Sequence, residues 1–157
     1  GVQTSYLTIL LTVSQMNLGE SLIDLGSGFG RVGLIIGLLH PRIKFTGYEY
    51  VPHRVEIAQA AADSVGISNN IRFEAQDLAD PQFMIPDADV YFLYDPFTED
   101  TYAHVFRQLI AIAKRRQITV ATKGAACDWF RTTVDMLSEW KCPKFYEGGT
   151  FAVFESN

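Results

Sequence analysis

Short apolar runs alternate with stretches of helical periodicity along this 157-residue chain. Apolar runs of four to eight residues predict strands. The fourth run, residues 90–94, is apolar throughout, which is typical of a strand covered on both faces. The pattern predicts five strands, at residues 21–25, 43–48, 71–75, 90–94 and 118–122.

Between these runs, apolar residues recur every three or four positions, which predicts helices. Pro52 suits the first turn of one helix, and Gly66 ends it. The other predicted helices cover residues 31–39, 102–113 and 130–137. A leading helix over residues 6–16 is expected to pack on the sheet through a stripe formed by Leu7, Leu10, Leu11 and Ser14.

Five strand–helix units followed by a hairpin predict an α/β fold with a doubly wound, mostly parallel sheet. The hairpin is predicted from residues 145–147 and 150–154, which flank Gly148-Gly149 as a two-residue turn. The reversed strand is expected at the sheet edge. We expect a single domain over residues 1–157, in which residues 1–17 form the leading helix.

The composition is that of an ordinary globular domain, with 48% hydrophobic and 20% charged residues. Thirteen Lys and Arg against 18 Asp and Glu give a net charge of −5. A protein that contacts many nucleic acid phosphates needs a concentrated positive surface, which this negative net charge disfavours. We therefore expect a protein or small-molecule partner, with nucleic acid less favoured.

Other sequence features predict a cytoplasmic, metal-free protein. No apolar segment approaches the roughly 18 residues that span a bilayer, and the N-terminus lacks the features of a signal peptide. Cys127 and Cys142 are too few for a disulfide framework, and their spacing matches no metal motif. The three histidines are scattered. The sequence leaves the oligomeric state open.

The most informative stretch runs from Asp24 to Arg31, with the sequence DLGSGFGR. A strand ends, glycines allow a tight turn, and a helix begins, and such a turn can present backbone N–H groups to a ligand that carries a carboxylate or phosphate. A simple glycine-rich turn is the alternative. Gly28 to Gly33 also forms a G-x-G-x-x-G pattern, followed by Glu49 at a spacing that fits a nicotinamide dinucleotide fingerprint.

Carboxylates stand at or just beyond the carboxyl ends of four successive predicted strands: Asp24, Glu49, Asp77 and Asp95. In an open α/β sheet, ligands bind at that edge. We therefore expect the four side chains to converge on one crevice. A solvated acidic rim is the alternative.

Residues 24–31 resemble the first motif of class I S-adenosylmethionine-dependent methyltransferases, in the DLGSGxGR version of Dot1-like and related lysine methyltransferases. The element order and the terminal hairpin resemble the same family along nearly the whole chain. The resemblance implies a seven-stranded Rossmann-like fold and S-adenosylmethionine as cofactor.

The resemblance also implies which residues hold the methionine part of the cofactor. Gly26, Gly28 and Gly30 would line it, with Asp24 near its amino group. Asp95 would lie beside the methionine moiety and the methyl acceptor.

At the nucleoside end, the resemblance implies that Glu49 holds both ribose hydroxyls, since a carboxylate offers two acceptor oxygens. Tyr50 would lie against the adenine face. Asp77 would accept from the adenine amino group, and the backbone N–H of Leu78 would reach a ring nitrogen.

Asp95-Pro96-Phe97 lies where a substrate-facing loop is expected, so Asp95 is the candidate catalytic residue. The sequence thus predicts an S-adenosylmethionine-dependent methyltransferase acting on a protein side chain or a small molecule. Two alternatives are an NAD(P)-dependent oxidoreductase and a non-catalytic cofactor-binding subunit of the same fold.

Overall fold

The computed structural model describes residues 5–94, 97–135, 137–146 and 151–157. The strands are β1 (Ser21–Leu25), β2 (Lys44–Glu49), β3 (Ile71–Ala75), β4 (Val90–Tyr94), β5 (Thr119–Lys123), β6 (Lys144–Tyr146) and β7 (Phe151–Glu155). The helices are α1 (Tyr6–Val13), α2 (Arg31–Leu39), α3 (Pro52–Ser64), α4 (Glu99–Ala113) and α5 (Ala125–Val134).

The strands form one seven-stranded sheet in the order β3-β2-β1-β4-β5-β7-β6. β1 pairs with β2, β2 with β3, and β4 with β5, all in parallel, whereas β7 runs antiparallel to β5 and β6. This order confirms the predicted doubly wound, Rossmann-like sheet with a C-terminal antiparallel hairpin. The expectation that the reversed strand lies at the sheet edge is wrong, because β7 pairs with β5 on one side and with β6 on the other. By internal contacts the chain divides into two compact units, Gly1–Asp77 and Leu78–Asn157, so the single domain over residues 1–157 stays a prediction.

In the first unit, α2 lies unusually close to the sheet. A Cβ atom added at Gly33 would lie 2.7 Å from the rings of both Phe45 and Phe73. At Gly37 it would lie 2.6 Å from Ile67. Glycine costs up to about 1 kcal/mol relative to alanine inside a helix. The two helix glycines are therefore explained by close packing, of Gly33 against β2 and β3 and of Gly37 against Ile67.

We expect Gly33→Ala to lower the free energy of unfolding by about 1–3 kcal/mol, even though alanine favours the helix. The added methyl group overpacks two aromatic rings that already contact each other edge to face. Chemical denaturation measures the change. Leu38→Ala on the exposed side of the same helix is the control, expected to change stability by less than about 0.5 kcal/mol. Equal effects from both substitutions would contradict the packing argument.

The second unit has an aromatic core beneath β4, β5 and β7. All five residues of β4 are buried, as predicted for a strand covered on both faces. The Phe130 ring packs edge to face on Phe106, Trp140 and Phe154, with ring centroids 4.9 to 5.3 Å apart. The Thr98 side chain caps α4 by accepting a hydrogen bond from the Thr101 N–H.

The prediction of five strand–helix units is wrong at one connection. Residues 76–89, all of which the structure describes, form no helix between β3 and β4. Pro81 and Pro86 interrupt this segment, and proline disfavours helical backbone at and before its own position. The Gln108 side chain on α4 holds the segment instead, accepting from the Ile85 N–H at 2.8 Å and donating to the Phe83 carbonyl at 3.2 Å.

The leading helix differs from its prediction in the face that it buries. α1 ends at Val13, its described contacts include α2, and it buries Ile9, Thr12 and Val13. The predicted stripe of Leu7, Leu10 and Leu11 is exposed. An almost wholly apolar helix offers no polar face to mark the outside, which is why the sequence pattern indicated the wrong one.

Two smaller predictions at the C-terminal end have mixed outcomes. The antiparallel pairing of the final two strands is confirmed by the register of β6 with β7, in which Tyr146 lies opposite Phe151. The predicted turn at Gly148-Gly149 lies outside the described residues. The last predicted helix ends at Val134, so Leu137 is not part of it.

Candidate functional site

The glycine turn after β1 is tied to the end of β2. The backbone N–H groups of Gly26 and Ser27 both donate to the Tyr48 carbonyl, at 2.9 and 2.8 Å. Gly26, Gly28 and Gly30 have φ angles of +101°, +56° and +87°. Residues with a Cβ atom rarely adopt such angles, so the turn requires glycine at these three positions.

Glu49 ends β2 and connects the turn to the start of α3. Its Oε1 atom accepts from the Gly28 N–H at 3.0 Å, and its Oε2 atom accepts from the Val51 N–H at 2.9 Å. Arg54 lies 3.9 Å from Oε2. The side chain is 7% exposed and therefore held in one orientation. Each carboxylate oxygen has a further lone pair with which to accept from a ligand.

Asp24 is the penultimate residue of β1 and is only 2% exposed. Its Oδ1 atom has no hydrogen-bond partner among the described residues. Burial, and secondarily the negative charge of Glu49, raises the pKa of Asp24 to about 8. A buried acceptor without a donor is costly in a folded protein. This carboxyl group is therefore suited to a cationic ligand, which would stabilise its ionised form.

Open space lies beside the middle of the turn. A Cβ atom added at Gly28 would meet nothing within 4 Å, whereas one added at Gly30 would lie 2.7 Å from Ala58. The turn is thus packed against the protein at one end and free at its centre. A ligand can reach the backbone there.

Two residues of this region were not predicted from the sequence. A Cβ atom at Gly47 in β2 would lie 2.7 Å from the Ser27 Cβ, so Gly47 leaves room for the turn to fold against the strand. Ser27 is buried, and its hydroxyl oxygen has no partner among the described residues. A glycine inside a strand pattern is a signal of close backbone approach that could have identified Gly47.

The structure brings together only part of the predicted set. Asp24 lies opposite Gly47 in the parallel pairing of β1 with β2, so Asp24 and Glu49 stand near the carboxyl ends of two adjacent strands. Gln76 donates its backbone N–H to the Glu49 carbonyl at 2.9 Å, and Asp77 follows it as an exposed residue. Tyr50 is 71% exposed. Leu78 is buried, and Asp95 lies outside the described residues.

Neither a membrane span nor a metal centre is found in the part of the chain that the structure describes. No described helix is long and apolar enough to cross a bilayer. No group of three or more His, Cys, Asp or Glu side chains is arranged there to hold a metal ion.

Comparison with known proteins identifies the family. The sequence model of a family described as "Methyltransferase domain" matches residues 17–130, which include the glycine turn, Asp24 and Glu49. The chain belongs to this methyltransferase family. Membership supports the expected class of enzyme and gives no support to the nicotinamide alternative.

One curated relative of this methyltransferase domain is ribosomal RNA small subunit methyltransferase G of Porphyromonas gingivalis. The two are 33% identical over 51 residues, which is 32% of this chain and 23% of the relative. The matched part thus spans about a quarter of the relative's length.

Solved structures share the fold of the methyltransferase domain. An RNA methyltransferase from Salinibacter ruber in complex with S-adenosyl-L-homocysteine has a TM-score of 0.67 at 20% identity, over 99% of this chain and 92% of that one. TrmN from Thermus thermophilus has a TM-score of 0.68 at 18% identity, over 97% and 49%. A TehB-like SAM-dependent methyltransferase from Corynebacterium glutamicum has a TM-score of 0.61 at 18% identity, over 95% and 86%. At these identities the likeness establishes the fold.

The raised pKa of Asp24 predicts how the stability of the ligand-free methyltransferase domain depends on pH. Between the ordinary value of 3.8 and the folded value of about 8, the unfolded chain has lost this proton and the folded chain keeps it. Stability therefore falls as pH rises through this window, by up to about 1.4 kcal/mol per pH unit from this group. Above pH 8 the contribution is flat.

Urea denaturation at intervals from pH 4 to pH 9 measures this dependence. In Asp24→Asn the free energy of unfolding should fall much less steeply with pH over the same window, because the amide does not titrate. Identical slopes in the two proteins would show that Asp24 ionises normally in the folded state.

Proposed function

We propose that this chain binds S-adenosylmethionine and transfers its methyl group to an acceptor. The observation that carries the proposal is the buried Asp24 carboxyl with an unpartnered oxygen, beside a Glu49 carboxylate fixed on an open glycine turn. An ammonium and a pair of hydroxyls are the groups that such a site complements, and the methionine and ribose parts of the cofactor carry them.

The residues of the turn would bind the cofactor and orient it. Ionised Asp24 would accept from the cofactor's ammonium group, while the turn brings backbone close to the methionine part. Glu49 would accept from the two ribose hydroxyls through the lone pairs that Gly28 and Val51 leave free. When bound, the cofactor supplies a methyl group on a sulfonium, which is a good leaving group. Alignment of acceptor and methyl carbon is then the main task of the protein.

The rest of the predicted set completes the proposed site. Tyr50 would cover one adenine face, and its exposed side chain is free to do so. Asp77 would accept from the adenine amino group, and the Leu78 backbone N–H would donate to a ring nitrogen. Asp95 would act on the acceptor side, holding it or removing its proton before attack.

We propose RNA as the acceptor class. The support is that both ribosomal RNA small subunit methyltransferase G and the Salinibacter ruber structure are named for RNA methylation. A protein side chain or a small molecule is the second candidate, favoured by the net charge of −5. The experiment has to distinguish the two.

Thermal unfolding with S-adenosylhomocysteine, and separately with NAD and NADH, tests the cofactor. Ligand at 100 times its dissociation constant stabilises by roughly 2.7 kcal/mol, or about 5–11 °C for a domain of this size. We expect this shift with S-adenosylhomocysteine alone. A shift with the nicotinamides alone would overturn the proposal.

Incubation with tritiated S-adenosylmethionine then tests the acceptor. The substrates are unmethylated ribosomal RNA transcribed in vitro, transfer RNA, and a mixture of basic proteins. Label in RNA is the expected result, and label in protein alone would favour the second candidate. Cofactor binding without label in any substrate would favour the non-catalytic subunit.

A further inference from the structure

A cavity lies in the first unit at the opposite end of its strands from the glycine turn. It has a volume of about 450 Å³ and opens where β1 and β2 begin. Its lining includes the buried residues Leu18 and Ile43 and the Leu39 side chain, which is 51% exposed. This volume is within the range of small-molecule and nucleotide sites.

The polar groups at this cavity are basic or neutral. His40 and Arg42 line it, and none of the described lining residues is acidic. The side chain of Arg42 makes no ion pair or hydrogen bond with a described residue, whereas Arg54 and Arg72 in the same unit lie beside glutamates. An arginine without an anion next to an apolar wall suits a ligand that has both an anionic and an apolar part.

The loop that carries these two side chains is held by two hydrogen bonds to its backbone carbonyls. The Ile43 N–H donates to the His40 carbonyl at 3.0 Å and closes the turn. The Asn70 side-chain amide donates to the Pro41 carbonyl at 2.8 Å. Because its backbone is fixed, the loop can present Arg42 and His40 at low cost in conformational entropy.

The surroundings limit how much positive charge the cavity offers. Lys44 follows the loop at the start of β2 but does not line the cavity, and its backbone N–H donates to the Glu20 carbonyl at 3.1 Å. The charge that remains available is that of Arg42, assisted by the His40 ring. This favours contact with one or two phosphates over a broad nucleic acid surface.

We propose that this cavity binds one nucleotide of the RNA acceptor, at a position away from the methylated one. The base would lie in the apolar cavity against Leu39, and the adjoining phosphate would contact Arg42 and His40. This proposal rests on the proposed function. It makes RNA binding compatible with a net charge of −5, because a few localised contacts would bind the RNA in place of a broad positive surface.

The length of β1 sets the spacing between the two sites. Five residues separate the cavity from the glycine turn, which is roughly 17 Å at about 3.3 Å per strand residue. An RNA strand bound at both sites would have to pass around the sheet, so its path is longer than this distance.

Fluorescence anisotropy with a labelled 12-nucleotide single-stranded RNA tests the proposal in the full chain. We expect Arg42→Glu to weaken binding about tenfold, and Leu39→Ser to weaken it about threefold. Arg42→Ala should reduce the slope of log affinity against log salt by about 0.7, the loss of one phosphate contact on a single strand. Leu39→Ser should leave that slope unchanged. Arg107→Glu is the matched control, because Arg107 is exposed on α4 and the charge change is the same.

The stabilisation by S-adenosylhomocysteine is measured in every variant, because it tests the proposed cofactor site separately. Arg42→Glu and Arg107→Glu with equal RNA affinities and salt slopes would overturn the cavity proposal, even where the wild-type protein methylates RNA. A wild-type protein that binds no RNA would overturn both the cavity proposal and the RNA acceptor, while the cofactor shift would still stand.

Discussion

Asp24→Asn should abolish measurable cofactor binding while leaving the ligand-free protein at least as stable as the wild type at pH 8. The substitution keeps the size of the side chain but removes the charge that would pair with the cofactor's ammonium. Loss of one partner of a buried charge pair costs about 3–5 kcal/mol, which is more than a 100-fold rise in the dissociation constant. Isothermal titration with S-adenosylhomocysteine measures it.

The free energy of unfolding of Asp24→Asn should instead rise, because burial disfavours the ionised carboxyl group in the ligand-free protein. The pKa of Asp24 of about 8 means that the folded state disfavours the ionised carboxylate. The asparagine amide carries no charge, so the variant avoids this cost. We expect a gain of about 1–3 kcal/mol at pH 8, or roughly 2–12 °C in melting temperature. Asp63→Asn, an exposed carboxylate on α3, is the control and should change neither quantity. An Asp24→Asn protein that binds the cofactor normally would rule out this residue as the ammonium partner.

Glu49→Ala should weaken cofactor binding by about 100- to 1,000-fold and also destabilise the glycine turn. The carboxylate accepts from Gly28 and Val51, so its removal leaves two backbone N–H groups without their partner as well as two ribose hydroxyls. Hydrogen bonds to charged groups contribute about 1.5–3 kcal/mol each. The dissociation constant for S-adenosylhomocysteine and the free energy of unfolding are both measured, with a stability loss of about 1–3 kcal/mol expected.

Two companion variants separate the structural role of Glu49 from its binding role. Glu49→Gln keeps an acceptor oxygen and should recover part of the lost stability. It should also lower the pKa of Asp24, because the negative charge of Glu49 is one cause of its rise. The pH window of falling stability should then end at a lower pH. Glu56→Ala on the exposed face of α3 should bind the cofactor as the wild type does. Equal losses in Glu49→Ala and Glu56→Ala would contradict the assignment.

The elements that the sequence predicted well are those with a strong local signal. β1, α2, β3 and β4 begin and end at the predicted residues, because a strand–glycine–helix junction and short apolar runs mark both of their ends. The glycine turn itself was predicted for the same reason. Its positive φ angles are a property of three glycines and their immediate neighbours.

The elements that were predicted wrongly depend on contacts made far along the chain. The helix assumed between β3 and β4 is replaced by a segment held by Gln108, a residue more than 20 positions away. The buried face of α1 is determined by where the helix meets α2, and its own composition is too uniform to indicate that face.

The sequence by itself determined the sheet, the glycine turn and the carboxylates Asp24 and Glu49 at the ends of two adjacent strands. Hydrophobic period and turn chemistry are local, so they can be recognised without the fold. Only the tertiary structure decided that Asp24 is buried with its Oδ1 atom unpartnered among the described residues, that Gly47 makes room for Ser27, and that Glu49 is held by Gly28 and Val51. Burial and hydrogen-bond partners depend on which distant residues pack around a group, and these properties give the candidate site its chemistry.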